Sequence, residues 1–486
     1  MRKFAGYFAK MKAWQVVIFL FGVFALLGLG WVLTPAKGVT VAGKNLRFAS
    51  LEKMLQEASE AKVDVDSVLN AVEGRFGVKG DTLAYYRDFF YENPDRIYLP
   101  DNDYTYLDPV FKEFENARRE ARTVRVAHYG DSQIEMDRIS SELREALQLR
   151  FGGRGTGMFP ALSNVPSASI SRTSEGNLAH YTMYGDSTTS RAGHNRYGVM
   201  AQVVQLYGGA NINLRATKQK AAKDHCRSFS SVSLLVGKTS AKFSAKVLSD
   251  TLKPEPVVLD SAGVRYYRWT FPRNVQKATL RLAGNAEIYG VTTDGGGGVA
   301  VDNIPLRGCS GTIFTRISKE LMANSYALDD TRLIILQFGG NYMPVTKSQK
   351  NIEQYQERIA EQIRFFKEAA PQARIIFIGP SDMGKSRGGR MLTWPLLPEM
   401  VDALKQTALS NGIAYWDLYR MMGGENSMAQ WVKHSPAYAG PDYIHFTPAG
   451  ANKVGEAFAR SILTYYDFYD LRKTTPASEV KAAMKK

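Results

Sequence analysis

Val124-Arg125-Val126-Ala127-His128-Tyr129-Gly130-Asp131-Ser132-Gln133 is an apolar run that stops on a glycine and delivers a serine into a tight turn. A helical pattern follows from Ser140 to Phe151, so the segment reads as strand, turn and helix. Two later runs repeat that rhythm: Arg332 to Phe338, ending in Gly339-Gly340-Asn341, and Arg374 to Ile378. Each is joined to an amphipathic helix, and Ile352, Tyr355, Ile359, Ile363 and Phe366 share one face between Ile352 and Ala370. A last helix is expected from Ala449 to Tyr465. Strands alternating with helices predict an α/β fold with a parallel sheet covered on both sides.

Between these halves, residues 165–290 have another texture, rich in Ser, Thr, Gly, Val and Arg. Short alternating runs such as Ser231–Val236, Lys242–Val247 and Ala278–Leu282 predict antiparallel strands. They predict an all-β sandwich inserted into the α/β domain, which then comprises residues 122–164 and 291–470.

The other regions are read from charge and hydropathy. Residues 1–12 form a basic flank with Arg2, Lys3, Lys10 and Lys12, and residues 13–33 are uncharged from Ala13 to Leu33. About 20 apolar residues span a bilayer, and a positive flank stays in the cytoplasm. An N-terminal transmembrane anchor is therefore expected, with the bulk of the chain extracytoplasmic (periplasm or cell surface). Trp31-Val32-Leu33-Thr34-Pro35 is a poor cleavage site, which favours an anchor over a removed signal peptide. Residues 34–121 read as a linker and helical lead-in, with helices over Leu51–Gly74 and Tyr106–Arg122, and residues 471–486 as a basic tail.

The net charge is +15, but no long basic run interleaved with aromatics occurs, so nucleic-acid binding is a poor reading. Only Cys226 and Cys309 are present, and they form no metal-ligand cluster with histidines. No metal and no cofactor is expected.

Far downstream, Asp442-Tyr443-Ile444-His445 places a carboxylate three residues before a histidine. A serine hydroxyl is a weak nucleophile near neutral pH; it needs a base within hydrogen-bond reach and a third group to orient that base. Ser132 is the candidate nucleophile, His445 the candidate base and Asp442 its orienting group. Ester hydrolysis also needs donors for the developing oxyanion. The Asn341 side-chain amide and the Gly308 N–H, in Pro305-Leu306-Arg307-Gly308-Cys309-Ser310, can supply them. Gly379-Pro-Ser-Asp-Met-Gly384-Lys385-Ser386 also fits a phosphate-loop pattern. However, Arg387-Gly388-Gly389-Arg390 is a poor helix start, so a basic loop near the site is expected instead.

Gly130-Asp131-Ser132, Gly308, Gly339-x-Asn341 and Asp442-x-x-His445 occur in the order of the four motif blocks of SGNH (GDSL-type) hydrolases, which the chain resembles. The resemblance implies Ser132, Asp442 and His445 as the triad, with the Ser132 N–H, the Gly308 N–H and the Asn341 amide as oxyanion hole. Leu147-Gln148-Leu149-Arg150-Phe151-Gly152, Trp416-Asp417, Met422-Gly423-Gly424-Glu425-Asn426-Ser427-Met428 and Trp431 further resemble exported peptidoglycan O-acetylesterases. That subfamily carries an inserted β-sandwich of carbohydrate-binding type. Gln133 and Tyr342 depart from its usual residues.

The expected activity is a serine esterase that removes O-acetyl groups from a cell-envelope or surface polysaccharide, peptidoglycan among them, through an acetyl-serine. The same triad can serve a polysaccharide O-acetyltransferase, which would require a membrane-bound O-acyltransferase as partner. A non-catalytic surface glycan-binding protein built on the β-insert is the third possibility.

Overall fold

The computed structural model describes residues 39–41, 44–46 and 82–485, apart from 163–164, 186–188, 218–221, 240–242, 250–256 and 260–262. The chain divides into two compact units, residues 1–63 and 64–486. Within the first, a two-stranded antiparallel hairpin pairs Val39–Val41 with Lys44–Leu46. The expected membrane segment at 13–33 and the expected helix over Leu51–Gly74 lie outside the described residues. Among the described residues, no helix is long and apolar enough to cross a membrane.

The second unit is built on a six-stranded sheet. Its strands are β1 (Ile97–Tyr98), β2 (Thr123–Gly130), β3 (Gly298–Pro305), β4 (Thr331–Gln337), β5 (Arg374–Ile378) and β6 (Ala414–Trp416). They lie in the order β3-β2-β4-β5-β6-β1, parallel except for β1, which pairs antiparallel with β6. The order reverses beside β2, and in doubly wound sheets such a reversal opens a crevice at the C-terminal strand edge.

Strand alternation sorts the side chains into two cores. Val124, Val126, Leu333, Ile335, Ile376 and Trp416 point to one face. There they meet helices α2 (Asp108–Arg119), α3 (Ser140–Phe151) and α7 (Pro448–Arg472) through Phe111, Phe114, Leu143, Leu147, Val454 and Phe458. Ala127, Tyr129, Ile334, Leu336, Phe377 and Tyr415 point the other way. They meet α4 (Lys319–Leu328), α5 (Gln349–Ala369) and α6 (Leu397–Ser410). Both faces are buried, which is why the strands read as near-continuous apolar runs.

The boundary expected at residue 122 is not where this unit begins. Helix α1 (Thr82–Glu92) packs Phe90 on Tyr465 of α7 with ring centroids 4.4 Å apart, and β1 extends the sheet itself. The segment expected as a lead-in therefore supplies an edge strand and two covering helices.

The inserted region is all-β and antiparallel. Its first strand, Gly157–Phe159, precedes the expected boundary at 165, and its last, Ala286–Asp294, overruns 290 because the two pair with each other. The strands expected to form a sandwich are joined in one branched nine-stranded hydrogen-bonded network. The long strand Gln202–Ala216 causes the branching: Val204–Leu206 pair with Ala286–Ile288, and Gly209–Arg215 with Lys277–Ala283. A single core containing Val204, Ile212, Leu234, Val247, Trp269 and Leu280 fills it.

Buried charges join insert and sheet. Arg125 on β2 pairs with Asp294 at the insert's end and, at 2.8 Å, with Asp302 on β3. Arg144 on α3 pairs with Asp137 at 3.0 Å, and Asp137 also accepts from Ser167 of the insert at 2.8 Å. The two cysteines are buried free thiols.

Candidate active site

Ser132 follows the C-terminal end of β2, beside the strand-order reversal. Asp131 caps the short turn Ser132–Asp137 by accepting from the Gln133 N–H at 2.9 Å. Gly130 lets that turn fold back: a Cβ there would stand 3.0 Å from the Ile134 side chain.

His445 comes from the loop between the helix Ser427–Lys433 and α7. Asp442 folds this loop on itself, its Oδ1 accepting from the N–H groups of Ile444 and His445 at 3.0 and 3.1 Å. Its Oδ2 lies 2.7 Å from His445 Nδ1. That contact assigns the ring proton to Nδ1 and leaves Nε2 to accept from Ser132 Oγ at 2.9 Å, across 313 residues of chain. Burial raises the Asp442 pKa, but hydrogen bonds from the His445 ring and from the N–H groups of His445 and Ile444 outweigh it, so the carboxyl sits below its ordinary range. Ser132, His445 and Asp442 are thus brought together as expected.

Asn341 follows β4 across the crevice. Its Nδ2 donates to Asp131 Oδ2 at 2.9 Å and to Cys309 O at 3.3 Å, which fixes the amide with its N–H₂ toward the nucleophile turn. Burial pushes the Asp131 carboxyl up to about 6 against the opposing influence of the Gln133 N–H, His445 and Asn341. Gly308 sits in the turn after β3 with φ +70°, a conformation suited to glycine. Among the described residues, none accepts from the N–H of Ser132 or Gly308. A cavity of about 150 Å³ opens beside Ser132 and His445, bounded by Asn341, Phe338, Pro344, Met383 and Ile444, and Gly308 is not part of its wall.

Three residues to which the sequence assigned no role in the site hold these groups in place. Gln133 donates from Nε2 to Ile444 O at 2.7 Å and accepts from the Phe446 N–H at 3.3 Å, gripping the peptide groups on both sides of His445. Arg138 donates to Ser132 O at 2.7 Å and to Phe446 O at 3.0 Å, bridging the nucleophile and base loops. Glu135 takes Arg307 at 2.5 and 2.6 Å, next to Gly308. Gln133 and Asp131 were visible as neighbours of the motif serine; Arg138 gave no signal, because its partners are backbone carbonyls.

The phosphate-loop match is not realised. Gly384–Arg387 is a β-strand paired with Arg390–Thr393, so no helix N-terminus forms at Ser386 to hold a phosphate.

An oriented Ser–His–Asp relay at the C-terminal edge of a parallel sheet, with amide donors across the crevice, defines a serine hydrolase. Residues 282–453 match the model of the GDSL-like Lipase/Acylhydrolase family. That span contains Gly308, Asn341, Asp442 and His445, while the insert separates it from Ser132. Over residues 282–453 the chain is accordingly similar to SGNH (GDSL-type) hydrolases. No curated protein matches the chain. Among solved structures, a peptidoglycan O-acetylesterase shares the fold, at 20% identity and TM-score 0.61, covering 74% of this chain and 96% of its own. A family two carbohydrate esterase from Cellvibrio japonicus has 10% identity over 62% of this chain and 99% of its own, with TM-score 0.25. An acetylxylan esterase from Geobacillus stearothermophilus has 17% identity over 34% and 73%, with TM-score 0.26. These last two superpose too loosely to bear on the architecture.

Proposed function

We propose that the protein is a carbohydrate O-acetylesterase acting on a cell-envelope or surface polysaccharide, with peptidoglycan as the leading candidate. The observation that carries this reading is the 2.9 Å Ser132–His445 contact opening onto a cavity of about 150 Å³. That volume is below the roughly 300–1,000 Å³ of sites that enclose drug-sized ligands, and it suits a short acyl group on a bulky alcohol left outside.

His445 Nε2 takes the Ser132 proton as Oγ attacks the acetyl carbonyl, and Asp442 stabilises the imidazolium. The N–H groups of Ser132 and Gly308, and the Asn341 amide as it exchanges its long 3.3 Å contact to Cys309 O, receive the oxyanion. His445 returns the proton to the departing sugar hydroxyl, then activates a water that releases acetate. The half-exposed ring of His445, 41% accessible, supports hydrolysis over acyl transfer, which requires water to be kept from the acyl-enzyme. The basic flank and apolar segment of the N-terminus support an extracytoplasmic, membrane-anchored location. The similarity of fold to a peptidoglycan O-acetylesterase supports the choice of polymer.

Acetate release from O-acetylated peptidoglycan, with and without Ser132→Ala, tests the proposal. Release by the parent and none by the variant is expected. Acetylated acceptor sugar in place of free acetate would assign a transferase instead, and undiminished release by the variant would remove Ser132 from the chemistry.

A further inference from the structure

Beside the triad stands a cationic hairpin that the chemistry does not use. Its strands, Gly384–Arg387 and Arg390–Thr393, leave the cavity wall directly, because Met383 lines the cavity and Gly384 follows it. The Gly384 N–H donates to Tyr443 O at 2.8 Å, inside the loop that carries Asp442 and His445. A Cβ at Gly384 would come within 2.7 Å of the Tyr443 side chain, so only glycine allows this approach.

The root is firmly built. Thr393 donates to the buried Asp382 at 2.8 Å, and Asp382 accepts from the Met428 N–H at 2.7 Å. Thr393 Oγ1 also accepts from the Asn426 N–H at 2.6 Å. The tip, Lys385 to Arg390, is exposed and contains no acidic residue. Lys385 lies 4.6 Å above the half-buried Trp394 ring. Arg387 spends one N–H on Thr393 O at 3.3 Å. Among the described residues, no carboxylate pairs with Lys385 or Arg387.

We propose that Lys385 and Arg387, with Trp394 beneath, form a subsite that binds carboxylates along an anionic glycan whose acetyl ester reaches Ser132. The inference rests on the esterase reading and adds a charge requirement to it. A guanidinium fork with free donors matches a carboxylate, and the Trp394 indole beneath Lys385 holds that ammonium at the hairpin root. Two cations held on a rigid root beside the base fix where the polymer runs.

The test uses the full chain with Ser132→Ala, measuring binding of polygalacturonate and of neutral dextran at low and high salt. Polygalacturonate should bind and dextran should not, with binding falling as salt rises. Lys385→Ala with Arg387→Ala should weaken it about five- to tenfold, the range of two partly exposed charge contacts. With Ser132 intact, the same pair of changes should raise KM on O-acetylated polygalacturonate by a similar factor and leave p-nitrophenyl acetate turnover unchanged. Equal binding of dextran and polygalacturonate, or no effect of the double change, would overturn the subsite. Failure of the esterase reading shows separately, as p-nitrophenyl acetate turnover that survives Ser132→Ala.

Discussion

Gln133, the neighbour of the nucleophile, is hydrogen-bonded to Ile444, the neighbour of the base, at 2.7 Å. With its second contact, to the Phe446 N–H, it couples two loops 311 residues apart in sequence. Replacing Gln133 by Ala should lower kcat about 10- to 100-fold with little change in KM, since small displacements of a catalytic group cost that much. Gln133→Glu keeps the acceptor but loses the donor to Ile444 O, and should fall in between. Steady-state kinetics on p-nitrophenyl acetate would check both; a variant that changed KM alone would place Gln133 in substrate binding.

Asp442→Asn should cost about 10³–10⁴ in kcat. An amide facing Nδ1 stabilises the tautomer whose proton sits on Nε2, where Ser132 needs an acceptor. The variant should stay folded, because the amide oxygen can still accept from the N–H groups of Ile444 and His445. Unaltered melting with lost turnover is the expected pair of measurements.

Asn341→Ala should lower kcat about 10²–10³-fold, the loss typical of one oxyanion donor. Asp131→Asn should give a smaller loss, because the carboxylate only orients the amide. Pre-steady-state acylation is the step to follow: both changes should slow acylation itself, whereas a purely structural effect would appear as a lower active fraction.

The contribution of Asp95 to stability should fall as pH rises from about 4 to 6. Burial lifts the Asp95 carboxyl to about 6, with Arg460 at 3.6 Å opposing it, so the folded state keeps a proton that the unfolded chain loses near its ordinary value. A group bound more tightly to its proton in the folded state contributes stability below its unfolded pKa, and that contribution is lost as pH climbs through the folded pKa. Asp131 and Asp382, also near 6, act in the same direction. Buried His128, held down to about 4, acts the other way in parent and variant alike, so the difference in calorimetric melting between the parent and Asp95→Asn across this window should amount to roughly 2–3 kcal/mol at most.

Arg125→Met should destabilise the fold by about 3–5 kcal/mol, because it strands Asp294 and Asp302 without a countercharge in the interior. Arg150→Met, which removes an exposed pair with Asp467, should cost less than about 1 kcal/mol. Denaturant titration separates the two. Comparable losses would mean that the buried network does not hold the insert to the sheet.

The legibility of the chain followed burial. Arg374–Ile378 and Ser140–Phe151 have the bounds expected from sequence, since a strand buried on both faces and a helix between turns leave plain patterns. Helix α7 runs on to Arg472, past the expected Tyr465, because Phe468 of its polar-looking end is buried beside Tyr86 and Phe90 of α1. Strands β1 and β6 are too short to show a period, and only their pairing reveals them. The triad was legible because its chemistry demands particular residue types at particular places. The residues that hold it were not: Arg138 and Gln133 work through peptide groups, which any sequence offers. The insert's strands were legible one by one, but a branch point made by one long strand serving different partners along its length has no local signature.

The separation of 313 positions between Ser132 and His445 also sets a clock. At about 5–20 residues per second, the base is made roughly 15–60 s after the nucleophile. Throughout that interval the growing chain exposes a hydroxyl that nothing can ionise. An esterase assembled in this order stays inert toward every ester it meets during synthesis and becomes reactive only when its last helix has a loop to anchor.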